Sequence, residues 1–187
     1  MAGELLAADT IATYRLSYAI TATGLLVTQH PRREEILTGI LGLDRGSTLN
    51  LGMRDDPAHP GEPKYYTGLD VWEAADSVSG RADHNLHFLA VWFLGVLATV
   101  GHLAKEQDYW DHTPELELLR HLRNGVSHGN RFNLMHGAPR QPAHFGQHVL
   151  TREHHGEVVL FEFMSPGDLF ALLDRIEAHL RRRADRS

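Results

Sequence analysis

The sequence predicts a mainly α-helical fold, a helical bundle with one small β-hairpin before its C-terminal helix. Three observations carry that expectation. Apolar residues recur at helical spacing over most of the chain. Two segments, at Thr113-Pro114 and Ser165-Pro166, begin with a hydroxyl residue followed by proline. That pair opens a helix, because the hydroxyl can cap free N–H groups and proline has the right φ and no N–H to leave orphaned. Ahead of the second start lies Val158-Val159-Leu160-Phe161, good strand formers preceded by the polar, glycine-ended run Glu153-His154-His155-Gly156.

Taken in order, residues from about 4 to 29 read as one long helix whose apolar surface is Leu5, Leu6, Ile11, Tyr14, Leu16, Tyr18, Ile20, Leu25 and Leu26. Its β-branched residues, among them Ile11, Thr13, Ile20, Thr23 and Val27, lose rotamer freedom in a helix, so packing has to hold it. Pro31 opens a shorter helix with Ile36, Leu37, Ile40 and Leu41 inward, stopped by Gly42. Residues 43–67, with Asp56-Pro57 and His59-Pro60-Gly61, read as an irregular connection holding a short extended piece at Thr48 to Leu51. Tyr65-Tyr66 either re-enters the core, the commoner case for two aromatics, or stacks on a base, and Asp70 to Ser77 forms a short helix.

Asp83 to about Lys105 is the most hydrophobic helix, and Phe88 to Gly101 carries no charge. That run is shorter than the roughly 20 residues a membrane span needs. His87 and His102 bracket it, so it reads as a central core helix or a dimer seam. Residues 129–143 are loop. Phe145 to Leu150 and Glu157 to Phe163 are the two hairpin strands, turning at Glu153 to Gly156. The last helix buries Leu169, Phe170, Leu172, Leu173, Ile176 and Leu180 and ends in Arg181-Arg182-Arg183, which suits the negative end of a helix dipole.

With 187 residues, 42% of them hydrophobic, the chain can sustain a real core, and without repeats or an interdomain linker it reads as one domain over residues 1–187. The absence of cysteine excludes disulfides and thiolate sites and suits a reducing compartment. The N-terminus lacks the basic and apolar regions of a signal peptide, so the expected location is cytoplasmic. A net charge of −6 argues against a protein that coats nucleic acid nonspecifically. Charge is uneven, however. Between Arg120 and His155 lie Arg120, Arg123, Arg131, Arg140 and Arg152, with Glu153 the only acid. His121, His128, His136, His144, His148, His154 and His155 fall in the same window. Such a basic, protonatable sector either suits a localised anionic ligand or is a solvated loop in an arginine- and histidine-prone stretch.

Its centre is the helix that begins at Thr113-Pro114-Glu115 and stops at Gly129, roughly four turns long. At about 100° per residue, Leu116, Leu118, Leu119, Leu122 and Val126 share a buried arc. Glu117, Arg120, His121, Asn124 and His128 fall opposite, with Asn124 and His128 one turn apart. Arg123 projects to the edge of the apolar arc. A guanidinium there needs either a carboxylate partner, such as Glu117 or an acid on a neighbouring helix, or a wet cleft that receives a phosphate.

Arg123-Asn124-Gly125-Val126-Ser127-His128 resembles the Arg-polar-x-x-x-His signature of the HEPN superfamily, the higher eukaryotes and prokaryotes nucleotide-binding domains. The setting is similar too, at the end of a helix in a helical chain of suitable length. The resemblance is sharp over about residues 113–131 and architectural elsewhere. It implies a HEPN-like bundle and a metal-independent endoribonuclease of the toxin or defence type, needing no cofactor. Such enzymes place the motif Arg and His on the scissile phosphodiester, in a cleft shared across a homodimer.

In those terms Arg123 would grip the phosphate and stabilise its developing charge. His128, an imidazole, would move a proton near neutral pH, and Asn124 would orient either of them. Arg120 and Arg131 are candidates to hold flanking phosphates. His121 and His136 could assist in a monomer. The implied partners are RNA or a nucleotide and a second copy of the chain, with an antitoxin or regulatory protein as a further candidate and no membrane. The competing readings are a non-catalytic module binding a nucleotide or a partner protein, and a metalloprotein using His84 and His87, which lacks an evident third ligand.

Overall fold

The computed structural model describes residues 2–52, 65–79, 82–106, 111–135 and 139–186; the side chains of residues 2–4, 49–52, 65–69 and 82–89 lie outside that description. Helices dominate, as expected. In order they are α1 (Ala2–Gln29), α2 (Val71–Val78), α3 (Ala82–Glu106), α4 (Pro114–Ser127) and α5 (Pro166–Ala184), with a π-helical turn at Glu35–Ile40 and a 3-10 turn at Arg152–His154. Strands β1 (Thr48–Gly52) and β2 (Tyr65–Asp70) pair antiparallel, and so do β3 (His144–Phe145) and β4 (His148–Val149). The chain forms two compact units, Met1–Ala19 with Phe88–Ser187, and Ile20–His87. No helix among the described residues is long and apolar enough to cross a membrane.

The larger unit is built on α4 and α5. Leu116, Leu118, Leu119 and Leu122 of α4 and Leu169, Leu172, Leu173, Ile176 and Leu180 of α5 are buried with Phe93, Val96, Leu97 and Val100 of α3. The α5 start follows its sequence: the Asp168 N–H donates to Ser165 Oγ at 3.3 Å, while the Ser165 N–H donates to Asp168 Oδ2 at 3.0 Å, a reciprocal cap. Aromatic edges meet beside it, with Tyr18 4.7 Å from Phe170 and 4.8 Å from Trp92, centroid to centroid.

In α1 the buried stripe is Ala7, Ala8 and Ile11, continued by the partly buried Tyr14 and Tyr18. The large residues expected to pack, Leu5, Leu6, Leu16, Ile20 and Leu26, are instead exposed. Spacing prevailed over size. Ala7, Ile11, Tyr14 and Tyr18 recur every three or four residues and define one face, and the leucines fall off it. Arg15 pairs with Glu177 and Asp174, and Arg181 with Asp9.

The second hairpin is tighter than expected. Its two strands lie within residues 144–149, turning at Gly146 (φ +56), rather than on either side of Glu153 to Gly156. The run at 157–163 is no strand; it forms single bridges, Arg131 to Val158 and Leu160 to Met164, because its backbone is claimed by Asn130 and Phe132, just past α4, and by its own turn.

In the smaller unit Leu37, Trp72 and Ala75 form a core joined by Val27 and Leu43. Asp70 caps α2 by accepting from the Trp72 and Glu73 N–H groups at 2.7 and 2.8 Å. The Trp72 indole N–H donates to the Leu43 carbonyl at 2.9 Å, and the Arg45 guanidinium lies 4.4 Å from the Trp72 ring. The helix expected after Pro31 is a π-turn over most of its length, and Ile40 and Leu41, expected inward, are exposed. The wider turn takes them off the Leu37 face. Residues 65–67, expected to be irregular, belong to β2. Asp56-Pro57, His59-Pro60-Gly61 and the Tyr65 and Tyr66 side chains lie outside the described residues.

Candidate functional site

Proline at the first helical position starts α4 and puts Glu115 and Glu117 in its first turn, where the free N–H groups favour negative charge. The helix ends at the motif. His128 is its C-cap (φ −114°, ψ 43°), with its N–H on the Gly125 carbonyl at 3.1 Å. The chain then turns through Gly129 (φ +80°) and Asn130 (φ +61°). Glycine takes this left-handed geometry without strain, and asparagine tolerates it better than most residues.

That turn is sewn down. The Asn130 side-chain oxygen accepts the Leu160 N–H at 2.9 Å, and its carbonyl accepts the Val159 N–H at 3.0 Å. Gly125, in the middle of the motif, has a steric reason: a Cβ there would stand 2.6 Å from Val159 Cγ2 and 3.2 Å from the Arg131 carbonyl oxygen. The segment ahead of α5 therefore packs directly on the motif backbone, and His128 stands on an anchored helix end.

Arg123 is partly buried. Its stem lies across α3 at Gly101, where a Cβ would come within 2.7 Å of Arg123 Cγ. Its Nη1 donates to Asn124 Oδ1 at 2.8 Å. Among the described residues no carboxylate lies within ion-pairing distance of it, Glu117 included. Accepting from Arg123 through oxygen leaves the Asn124 amide nitrogen as a second donor of the same neighbourhood. His128 is exposed, and among the described residues nothing hydrogen-bonds its ring.

The polar face expected of α4 is corrected at two positions. Glu117 and His121 are each only 3% exposed. Their partners explain it. Arg120 donates to Glu117 Oε2 through Nε at 2.9 Å and Nη2 at 2.6 Å, and His112 Nδ1 meets Glu117 Oε1 at 2.9 Å. Arg120 Nη2 also donates to His121 Nε2 at 2.9 Å. A helical wheel judges residues singly, whereas this cluster is buried as a set.

Burial raises the Glu117 pKa, but hydrogen bonds and charge from His112 and Arg120 outweigh it and leave the carboxyl below its ordinary value. Burial, reinforced by the Arg120 charge, pushes His121 down to about 4, so its ring is neutral near pH 7. His121, a candidate to assist in a monomer, is thus buried and held by Arg120, and His136 lies outside the described residues.

The structure thus brings Arg123 and Asn124 together, places His128 at the same helix end and turns Arg120 to Glu117. Arg131 is exposed and donates from Nη1 to the Gly156 carbonyl at 2.7 Å. Gly101 and Asn130 were not singled out in the sequence. Gly129-Asn130, a pair suited to positive φ, was a usable signal for the turn; nothing local marked Gly101.

Among the described residues no group of three or more histidines or acids could hold a metal ion, and the His84 and His87 side chains fall outside them. An open cleft of about 650 Å³ beside β3 and β4, lined in part by His148, His154 and Phe163, includes no motif residue. Comparison with protein-family models, with curated proteins and with solved structures finds no match.

Proposed function

We propose that the chain is a metal-independent endoribonuclease of the HEPN toxin or defence type, working as a homodimer. One observation carries the reading. Arg123 keeps its stem on Gly101 and its guanidinium against the neutral Asn124, with no carboxylate among the described residues to neutralise it. A partly buried cation held in this way is suited to an external anion, and a phosphodiester supplies one in the bidentate form a guanidinium prefers.

In the proposed reaction the ribose 2′-oxygen attacks phosphorus, the bond to the 5′-oxygen breaks, and a 2′,3′-cyclic phosphate remains. His128 takes the proton from the 2′-hydroxyl or gives one to the leaving 5′-oxygen. The Arg123 guanidinium and the Asn124 amide stabilise the charge gathering on the non-bridging oxygens. One motif supplies one histidine, so the second proton transfer falls to the motif of a partner copy. DNA, lacking the 2′-hydroxyl, is inert. Arg131 can reach a flanking phosphate from its exposed position, whereas Arg120 would first have to leave Glu117.

A non-catalytic module that binds a nucleotide or a partner protein is the second reading, favoured by the exposed His128 ring that nothing among the described residues orients. Incubating the protein with end-labelled RNA in excess EDTA separates the two. The ribonuclease reading expects cyclic-phosphate ends that disappear in His128→Ala. RNA bound but left intact would establish the module instead.

A further inference from the structure

Gly101 sits in the interior of α3, where glycine carries a backbone-entropy cost that alanine would avoid. A Cβ built on it would meet Arg123 Cγ at 2.7 Å, Cβ at 3.0 Å and Cδ at 3.5 Å. These are the first atoms of the arginine side chain. Swinging the guanidinium away would not relieve the overlap, because Cγ moves only when the χ1 rotamer itself changes. Gly95 provides the contrast: it lies in the same helix, and a Cβ there would meet nothing within 4 Å. A bare backbone is thus not a general requirement of α3 but a requirement at the place where Arg123 crosses it.

We infer that Gly101 is a positioning residue for the site: by lacking a side chain it seats the Arg123 stem flat on α3 and so fixes the guanidinium against Asn124. The inference rests on Arg123 being the phosphate-binding group, and it assigns to a second helix the task of preorganising that group. An arginine free to sample several rotamers loses side-chain entropy on each binding event; one seated in advance has already lost it.

The test compares Gly101→Ala, Gly95→Ala and Arg123→Ala in the full chain. Three measurements are made: cleavage of unstructured RNA in excess EDTA, the melting temperature, and the three-bond NMR couplings that report the Arg123 rotamer. In Gly101→Ala the rotamer should change and kcat should fall about 10²-fold, the scale of a misplaced catalytic contact. Gly95→Ala should match wild type in both. The destabilisation by Gly101→Ala should be markedly smaller in the Arg123→Ala background, since the Cγ contact at 2.7 Å is then gone and only the Cβ contact at 3.0 Å stays.

An unchanged Arg123 rotamer in Gly101→Ala, or the same destabilisation with and without Arg123, would overturn the inference. Wild type cleaving no better than Arg123→Ala would instead overturn the ribonuclease reading. The couplings and the stability cycle decide the role of Gly101 in either case.

Discussion

Two arginines lie three residues apart on α4 and are used in opposite ways. Arg120 is satisfied inside the molecule: two of its nitrogens donate to Glu117, one of them also to His121, and the cluster is completed by His112. Among the described residues Arg123 has only a neutral amide, Asn124, and a bare stretch of α3 beneath its stem. The same side chain on the same helix is thus part of the protein's internal cohesion at one position and, in the proposed site, left for an external anion at the next turn. The difference teaches that the charge of a guanidinium says little about its task. What it is paired with decides.

The comparison can be broken most sharply at Arg123. Arg123→Ala and His128→Ala should each lower single-turnover RNA cleavage by about 10²–10³-fold, the range for removing a transition-state contact. Stability should change by about 1 kcal/mol or less, because no ion pair among the described residues is lost. A melting temperature that collapses with Arg123→Ala would show it to be a structural residue like Arg120.

Arg120→Ala should do the reverse. It leaves the buried Glu117 carboxylate with His112 alone, so unfolding in urea should show a loss of about 3 kcal/mol. Cleavage per folded molecule should be retained, and its loss without a change in stability would make Arg120 a substrate ligand after all.

Gly125→Ala sharpens the contrast with Gly101. Its Cβ would press on Val159 and on the Arg131 backbone, which has little room to yield, so it should cost about 1–3 kcal/mol by overpacking. An unaltered urea midpoint would show that the segment ahead of α5 does not bear on the motif.

The smallest effect is a pH slope. Unfolded, His121 binds a proton below its ordinary 6.5; folded, it does so only below about 4. Between those values the unfolded chain holds more protons, so stability rises with pH across the window and is lost on acidification. Glu117 acts in the same direction, since a lowered carboxyl pKa gives stability above its ordinary value and loses it as pH falls through the shifted one. His121→Gln keeps an acceptor for Arg120 but cannot titrate. It should flatten the melting profile between pH 6.5 and 4 by on the order of 1–2 kcal/mol once solvent screening is allowed for. An identical slope in the variant would remove His121 as its source.

The helices were legible because their signals are local. Ser165-Pro166 fixed one start through its cap and Pro114 another, although the Thr113 hydroxyl expected to cap α4 makes no capping bond; Gly42 and Gly129 marked stops, and the leucine spacing of α4 and α5 named the buried faces. What was not legible depends on partners far away in sequence. Pairing of β1 with β2 joins segments far apart in sequence, and the 157–163 run reads as a strand until Asn130 and Phe132, just past α4, take its backbone groups. The same holds at the site. Arg123, Asn124 and His128 stand out by spacing, but that Arg120 is spent on Glu117, and that Gly101 lies beneath Arg123, follows only from which side chains meet.

The most direct test sets Arg120→Ala and Arg123→Ala side by side, measuring the melting temperature and metal-free RNA cleavage on the same preparations. The account predicts a double dissociation: Arg120→Ala melts early yet cuts while folded, and Arg123→Ala melts like wild type and leaves RNA intact. Arg123→Ala cutting as well as wild type would contradict it and remove the motif arginine from the site.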